Sequence, residues 1–111
     1  MSVPATGSAE LVAAGTGGDA AVYEVRGPLD FETVPSLSER GREMFAAGRH
    51  VVVDLSGVTH ANSAGLALLL EWQRAARRTG ARLSVRRLPA VLANLAAMSE
   101  LGPYLPPDDA G

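Results

Sequence analysis

Cysteine and lysine are both absent from the 111 residues of this chain, and aromatic residues make up only 5%. Without cysteine there is no disulfide and no thiolate metal site, which fits a reducing compartment. Without lysine there is no Schiff-base amine and no phosphate-anchoring lysine, and no G-x-x-x-x-G-K-[ST] loop occurs. With one tryptophan, two tyrosines and two phenylalanines, the core has to be aliphatic. No apolar run approaches the ~20 residues that cross a bilayer. The first residues lack the basic leader and apolar stretch of a secretory signal. These absences predict a cytoplasmic protein with no direct membrane insertion. The histidines, His50 and His60, do not cluster with acids in the sequence as metal ligands do, so no metal or cofactor is expected.

What is present suits one domain: 47% hydrophobic residues, 20% charged residues and a net charge of −2. The charge is unevenly placed. Residues 1–71 hold four arginines and nine acids, whereas residues 72–111 hold six arginines and three acids. An acidic half beside a basic half suits partners of either sign. A nucleic-acid partner is not expected, because a basic balance and aromatic platforms are both lacking.

Patterning predicts an α/β domain over residues 9–105, between a flexible N-terminus at 1–8 and a flexible tail at 106–111. Glu10 to Ala14 and Ala20 to Arg26 read as a hairpin about the glycine-rich turn 15–19. Gly27-Pro28 ends the second strand. A helix starts near Thr33 with Pro35 in its first turn and stops at Gly48. His50-Val-Val-Val-Asp-Leu55 is the clearest strand, and its three consecutive valines predict burial on both faces of a sheet covered by helices. Ser56-Gly57-Val58-Thr59 turns the chain. Asn62 or Ser63 caps a very apolar helix over Leu66–Arg78, which Gly80 ends. Arg82 to Val85 is a short strand, and Pro89 opens a last helix carrying Val91, Leu92, Leu95 and Met98. The order, strand, strand, helix, strand, helix, strand, helix, predicts right-handed crossovers and a partly parallel, mixed sheet in one α/β domain.

The loop from Thr59 to Gly65 is the most informative stretch. It lies at the carboxyl end of the central strand, where open α/β sheets present their sites. A serine at a helix N-terminus can cap the helix, hold an anion or carry a phosphate, and a phosphate there gains from the helix dipole. His60 with Ser63 makes a poor nucleophile–base pair, since no acid is placed to orient the histidine and three residues across a tight loop is poor geometry. Asp54 reads as a carboxylate that accepts backbone N–H bonds.

Three segments in order, Gly27-Pro-Leu-Asp30, Val51-Val-Val-Asp-Leu-Ser56 and Asn62-Ser-Ala-Gly-Leu66, resemble the STAS domain of sulfate transporters and anti-sigma factor antagonists. The resemblance spans residues 9–105 and implies a mixed sheet of four or five strands with three or four helices packed on it. The run Ala64-Gly-Leu-Ala-Leu-Leu-Leu70, with Leu105-Pro106 at the end, is most similar to the STAS subunit of the Mla phospholipid-transport ABC system. That branch implies a non-enzymatic accessory that docks on the transporter's ATPase subunit, and through it the permease, at the inner membrane. The expected contact residues are then Asn62, Ser63, Ala64, Gly65, Leu66, Leu69 and Arg74, with Arg77 and Arg78 beside them. The helix start is apolar around more of its circumference than one buried face needs, so some of Leu66, Leu69 and Leu70 are expected to reach the surface. The alternative branch is an anti-sigma factor antagonist. There the loop reads Asp-Ser-Ser/Thr-Gly, its first serine is phosphorylated by the partner kinase, and Ser63 takes that place here. Asn62 stands where both branches carry aspartate, and Ala64 stands where the antagonists carry a second hydroxyl residue.

Overall fold

The computed structural model describes residues 8–45 and 49–105. The expected tail at 106–111, the helix stop at Gly48 and all but Ser8 of the expected N-terminus lie outside them. Strands β1 (Glu10–Gly17) and β2 (Ala20–Leu29) form the predicted antiparallel hairpin. It turns through Gly18, whose φ of +63° favours glycine. Helix α1 (Val34–Gly41) then runs into a 3-10 turn at Arg42–Phe45. Strand β3 (His50–Ala61), helix α2 (Ser63–Thr79), strand β4 (Arg82–Arg86) and helix α3 (Ala90–Met98) follow, with a second 3-10 turn at Gly102–Tyr104. The sheet order is β1-β2-β3-β4, with β2, β3 and β4 parallel.

The local signals work as their chemistry requires. Pro35 sits in the first turn of α1, where its missing N–H costs nothing. Asn62 caps α2, and Gly80, at φ +78°, closes it by donating its N–H to the carbonyls of Ala76 and Arg77.

Two expectations are corrected. The helices do not cover both faces of the sheet. Strands β2, β3 and β4 advance one way across it, so crossovers of one hand place α1 and α2 on the same side. There Leu37, Met44, Phe45, Leu68, Leu69, Trp72 and Leu92 pack on Val25, Val51, Val53, Leu55, Leu83 and Val85. Val52 points the other way and is buried in a small cluster with Ala20 and Val22, which no described helix joins. The second correction concerns length. Ser56–Thr59 does not turn but extends β3 to Ala61, and Gly27-Pro28 does not end β2. Each lends the other backbone partners, with Arg26 beside Gly57, Gly27 beside Val58 and Leu29 beside Ala61. Register shifts fall between Glu24 and Arg26 and between Gly27 and Leu29, the second at the proline itself.

Trp72 is 1% exposed and its indole lies against Gly41 of α1. A Cβ at Gly41 would overlap the indole ring at Nε1 and Cε2. Helix propensity alone says Gly41→Ala should stabilise, by up to about 1 kcal/mol. The overlap with a rigid buried ring reverses the sign, for a net loss of about 1–3 kcal/mol. Urea unfolding followed by Trp72 fluorescence checks this, and a midpoint at or above wild type would contradict it.

Candidate functional site

The carboxyl ends of β2 and β3 and the start of α2 meet at one end of the sheet. The Asn62 backbone N–H donates to the Leu29 carbonyl at 3.1 Å and ties the α2 entry to β2. The Asn62 side chain accepts the Ala64 N–H at 2.9 Å, and the Asn62 carbonyl accepts the Gly65 N–H at 2.9 Å. Gly65 is glycine because a Cβ there would stand 3.0 Å from Leu29 Cβ. The helix therefore starts hard against β2.

Ser63, the first residue of α2, is exposed. Asn62 does the capping, so the Ser63 hydroxyl is not used by the cap. Ala64, Gly65, Leu66 and Leu69 are buried, Leu70 is half-buried and Arg74 is exposed. Of the three leucines among which some were expected at the surface, only Leu70 reaches it in part, and for Leu66 and Leu69 the expectation is corrected. Leu69 is 0% exposed and Leu66 7%, because both belong to the core between α2 and the sheet. Of the expected contact residues, only Ser63 and Arg74 are exposed, and Asn62 is half-buried.

The turn after β2 adds residues that sequence reasoning passed over. Asp30 Oδ1 accepts the N–H groups of Glu32 and Thr33 at 2.9 and 3.1 Å and so shapes the entry to α1. The Thr33 hydroxyl donates to the Pro28 carbonyl at 2.8 Å and accepts the Asp30 N–H at 3.1 Å. Asp30 Oδ2 lies 3.5 Å from His60 Nε2, so an acid does stand beside this histidine, supplied by the turn after β2 and thirty positions away in the chain. His60 makes no hydrogen bond to Ser63 among the described residues, and no acid–base–nucleophile relay is assembled. The contact is exposed on its His60 side and adds at most about 1 kcal/mol. Phe31, next to Asp30, is 71% exposed. Its only sequence signal was an aromatic residue inside a polar turn.

Asp54 behaves as expected. Its Oδ1 accepts the Ser56 N–H at 2.9 Å, and its Oδ2 pairs with Arg87 at 2.9 Å. On β2, the Arg26 guanidinium donates to the Glu24 carboxylate at 3.0 Å, which raises the Arg26 pKa above the ordinary value and leaves it charged at any physiological pH. Among the described residues no group of His, Asp and Glu is arranged to hold a metal ion, and no helix is long and apolar enough to cross a membrane.

A sequence model of the family described as "Mlab, STAS domain" matches residues 12–106. The chain belongs to the STAS family. Among curated proteins it is similar to osmosensory protein A of Mycobacterium tuberculosis, 29% identical over 85 residues that make up 77% of this chain and 54% of that protein. The chain thus spans about half the length of that relative. Among solved structures, an anti-sigma factor antagonist from Mycobacterium paratuberculosis superposes with a TM-score of 0.70 at 22% identity, over 96% of this chain and 91% of that one. The phosphorylated form of the Bacillus cell-fate determinant SpoIIAA superposes with a TM-score of 0.65 at 17% identity, over 90% of each chain. These likenesses bear out the STAS fold expected from the three sequence segments.

Removing the Asn62 cap in Asn62→Ala should cost about 1 kcal/mol. Asn62→Asp keeps the acceptor and adds a favourable charge at the helix start, so its stability should equal or exceed wild type. Thermal melts of the two variants check this ordering.

Proposed function

We propose that this STAS domain is a non-enzymatic docking module that binds an anti-sigma factor through the α2 tip, with Ser63 as a phosphorylation switch. The observation that carries the reading is Ser63 itself, exposed at the first position of α2 while Asn62 supplies the cap. A phosphate there gains from the helix dipole and leaves the capping bond in place, so it alters the surface while the fold stays intact. It would bring a charge of about −1.5 to −2 to an end that already carries Asp30 and Glu32. The exposed Phe31 offers an apolar anchor beside this charge. The similarity to antagonist structures and to a relative named for osmosensing favours a signalling partner.

A second reading, the STAS subunit of an Mla-type phospholipid-transport system docked on its ABC ATPase, is favoured by the description of the matching family. It uses the same tip without requiring phosphate on Ser63.

Co-purification from the chain's own cell separates the two. The antagonist reading expects a serine-kinase anti-sigma factor in the complex and phosphate on Ser63 by mass spectrometry. Ser63→Ala should keep binding, and Ser63→Asp should lower the affinity at least about tenfold, or 1.4 kcal/mol. An ABC ATPase and permease in place of the kinase, with Ser63→Asp still bound, overturns it in favour of the second reading. Ser63→Arg should weaken binding under either.

A further inference from the structure

Residues Ser63, Ala67, Leu70, Arg74 and Arg77 alternate in steps of four and three along α2 and so form one stripe of its surface. All are exposed except Leu70, which is half-buried. The stripe begins at the Ser63 tip and leads into a groove at the far end of the helix. That groove lies between α2 and the segment 101–104. It measures about 310 Å³ and is lined by Leu70, Gln73, Arg74, Arg77, Leu101 and Tyr104.

The groove is built rather than incidental. Gln73 Nε2 donates to the Tyr104 carbonyl at 2.7 Å and pins the segment to the helix. The Arg77 guanidinium lies 5.6 Å from the centre of the Tyr104 ring, so the wall is an aromatic face with a cation over it. Leu70 and Leu101 supply apolar surface. No acid lines the groove, and among the described residues neither Arg74 nor Arg77 forms an ion pair.

We propose that this groove receives an acidic segment of the partner protein, one that carries an apolar side chain between carboxylates. The anchor would seat on Leu70, Leu101 and Tyr104, while Arg74 and Arg77 take the flanking acids. The proposal rests on reading the Ser63 tip as the docking surface, which α2 carries on into the groove. Charge complementarity selects this occupant. A second copy in a two-fold dimer would bring its own arginines against these. A fatty acid has one carboxylate for two arginines. The groove is also open to solvent, whereas small-molecule sites bury most of their ligand.

A phage library of random twelve-residue peptides, panned on the full chain, tests the assignment. Enriched peptides should carry Asp or Glu around a Leu, Met, Phe or Trp. Their synthetic forms should lose at least about tenfold in affinity on the double variant Arg74→Glu, Arg77→Glu, the scale of two lost rim contacts. Arg74→Glu alone leaves the Arg77–Tyr104 packing untouched. It should show part of the loss with an unchanged circular dichroism spectrum. Absence of enrichment, enrichment without acids, or equal binding to the charge-reversed chain overturns the proposal. So does calorimetric binding of oleate that Arg74→Glu abolishes, which would make the groove a lipid site. A dimer in sedimentation that Arg74→Glu dissociates would make it a contact between copies and overturn the proposal equally. The tip and the groove fail separately. A partner lost on Ser63→Asp but kept on the arginine variant refutes the groove alone. The reverse pattern refutes the tip and leaves the groove standing.

Discussion

Strands β2 and β3 stay paired as far as Leu29 and Ala61, and the candidate site hangs on that pairing. Beyond it, the Asn62 N–H still donates to the Leu29 carbonyl, so the last ladder bond of the sheet is also the first bond of the helix entry. Gly65 lets the first turn of α2 press on the Leu29 side chain. A strand end and a helix start are thereby fixed to each other through backbone contacts. Asp30, Phe31 and His60 inherit their positions from that joint. A shorter β3, turning at Ser56, would have left Ser63 far from the end of β2.

The same joint explains how much could be read from the residues. Signals that act through their own neighbours were legible: Pro35 in the first turn of α1, Asn62 before α2, Gly80 after it, and the three family segments in order. Thr33, expected to cap α1, instead turns its hydroxyl back to the Pro28 carbonyl. Signals that depend on a partner strand were not. Ser56-Gly57-Val58-Thr59 has the composition of a turn, and β2 holds it extended because each strand satisfies the other's backbone groups. The Asp30–His60 contact joins residues thirty positions apart, and no spacing rule announces it. Leu69 misled in the opposite direction. An apolar helix start suggested surplus hydrophobic surface, yet the sheet, α1 and α3 all converge on α2 and bury it.

One-sided coverage of the sheet bears on function too. Because α1, α2 and α3 share a face, α2 is flanked by both other helices and keeps only a narrow stripe for solvent. Helices flanked in this way usually present a polar ridge. Here the ridge is small residues and a leucine leading to two arginines, with the exposed Glu71 beside it accepting the Ser38 hydroxyl. The divide between an acidic and a basic half of the chain therefore becomes a polarity between the two ends of α2, with Asp30 and Glu32 of the turn after β2 near its tip and arginines at its end.

That polarity has a length. From Ser63 to Arg77 the helix rises about 21 Å, at 1.5 Å per residue. At physiological ionic strength exposed charges are screened over about 8 Å. A phosphate on Ser63 would therefore dominate the field around Asp30 and Phe31 while barely altering that at Arg74 and Arg77. A partner that grips both ends could be released at the tip and remain tethered at the groove. Re-engagement after dephosphorylation would then be an intramolecular step at high effective concentration, not a fresh encounter. Two weak contacts at opposite ends of one rigid helix thus give a switch that is reversible and quick to reset, which one strong contact at the tip could not provide.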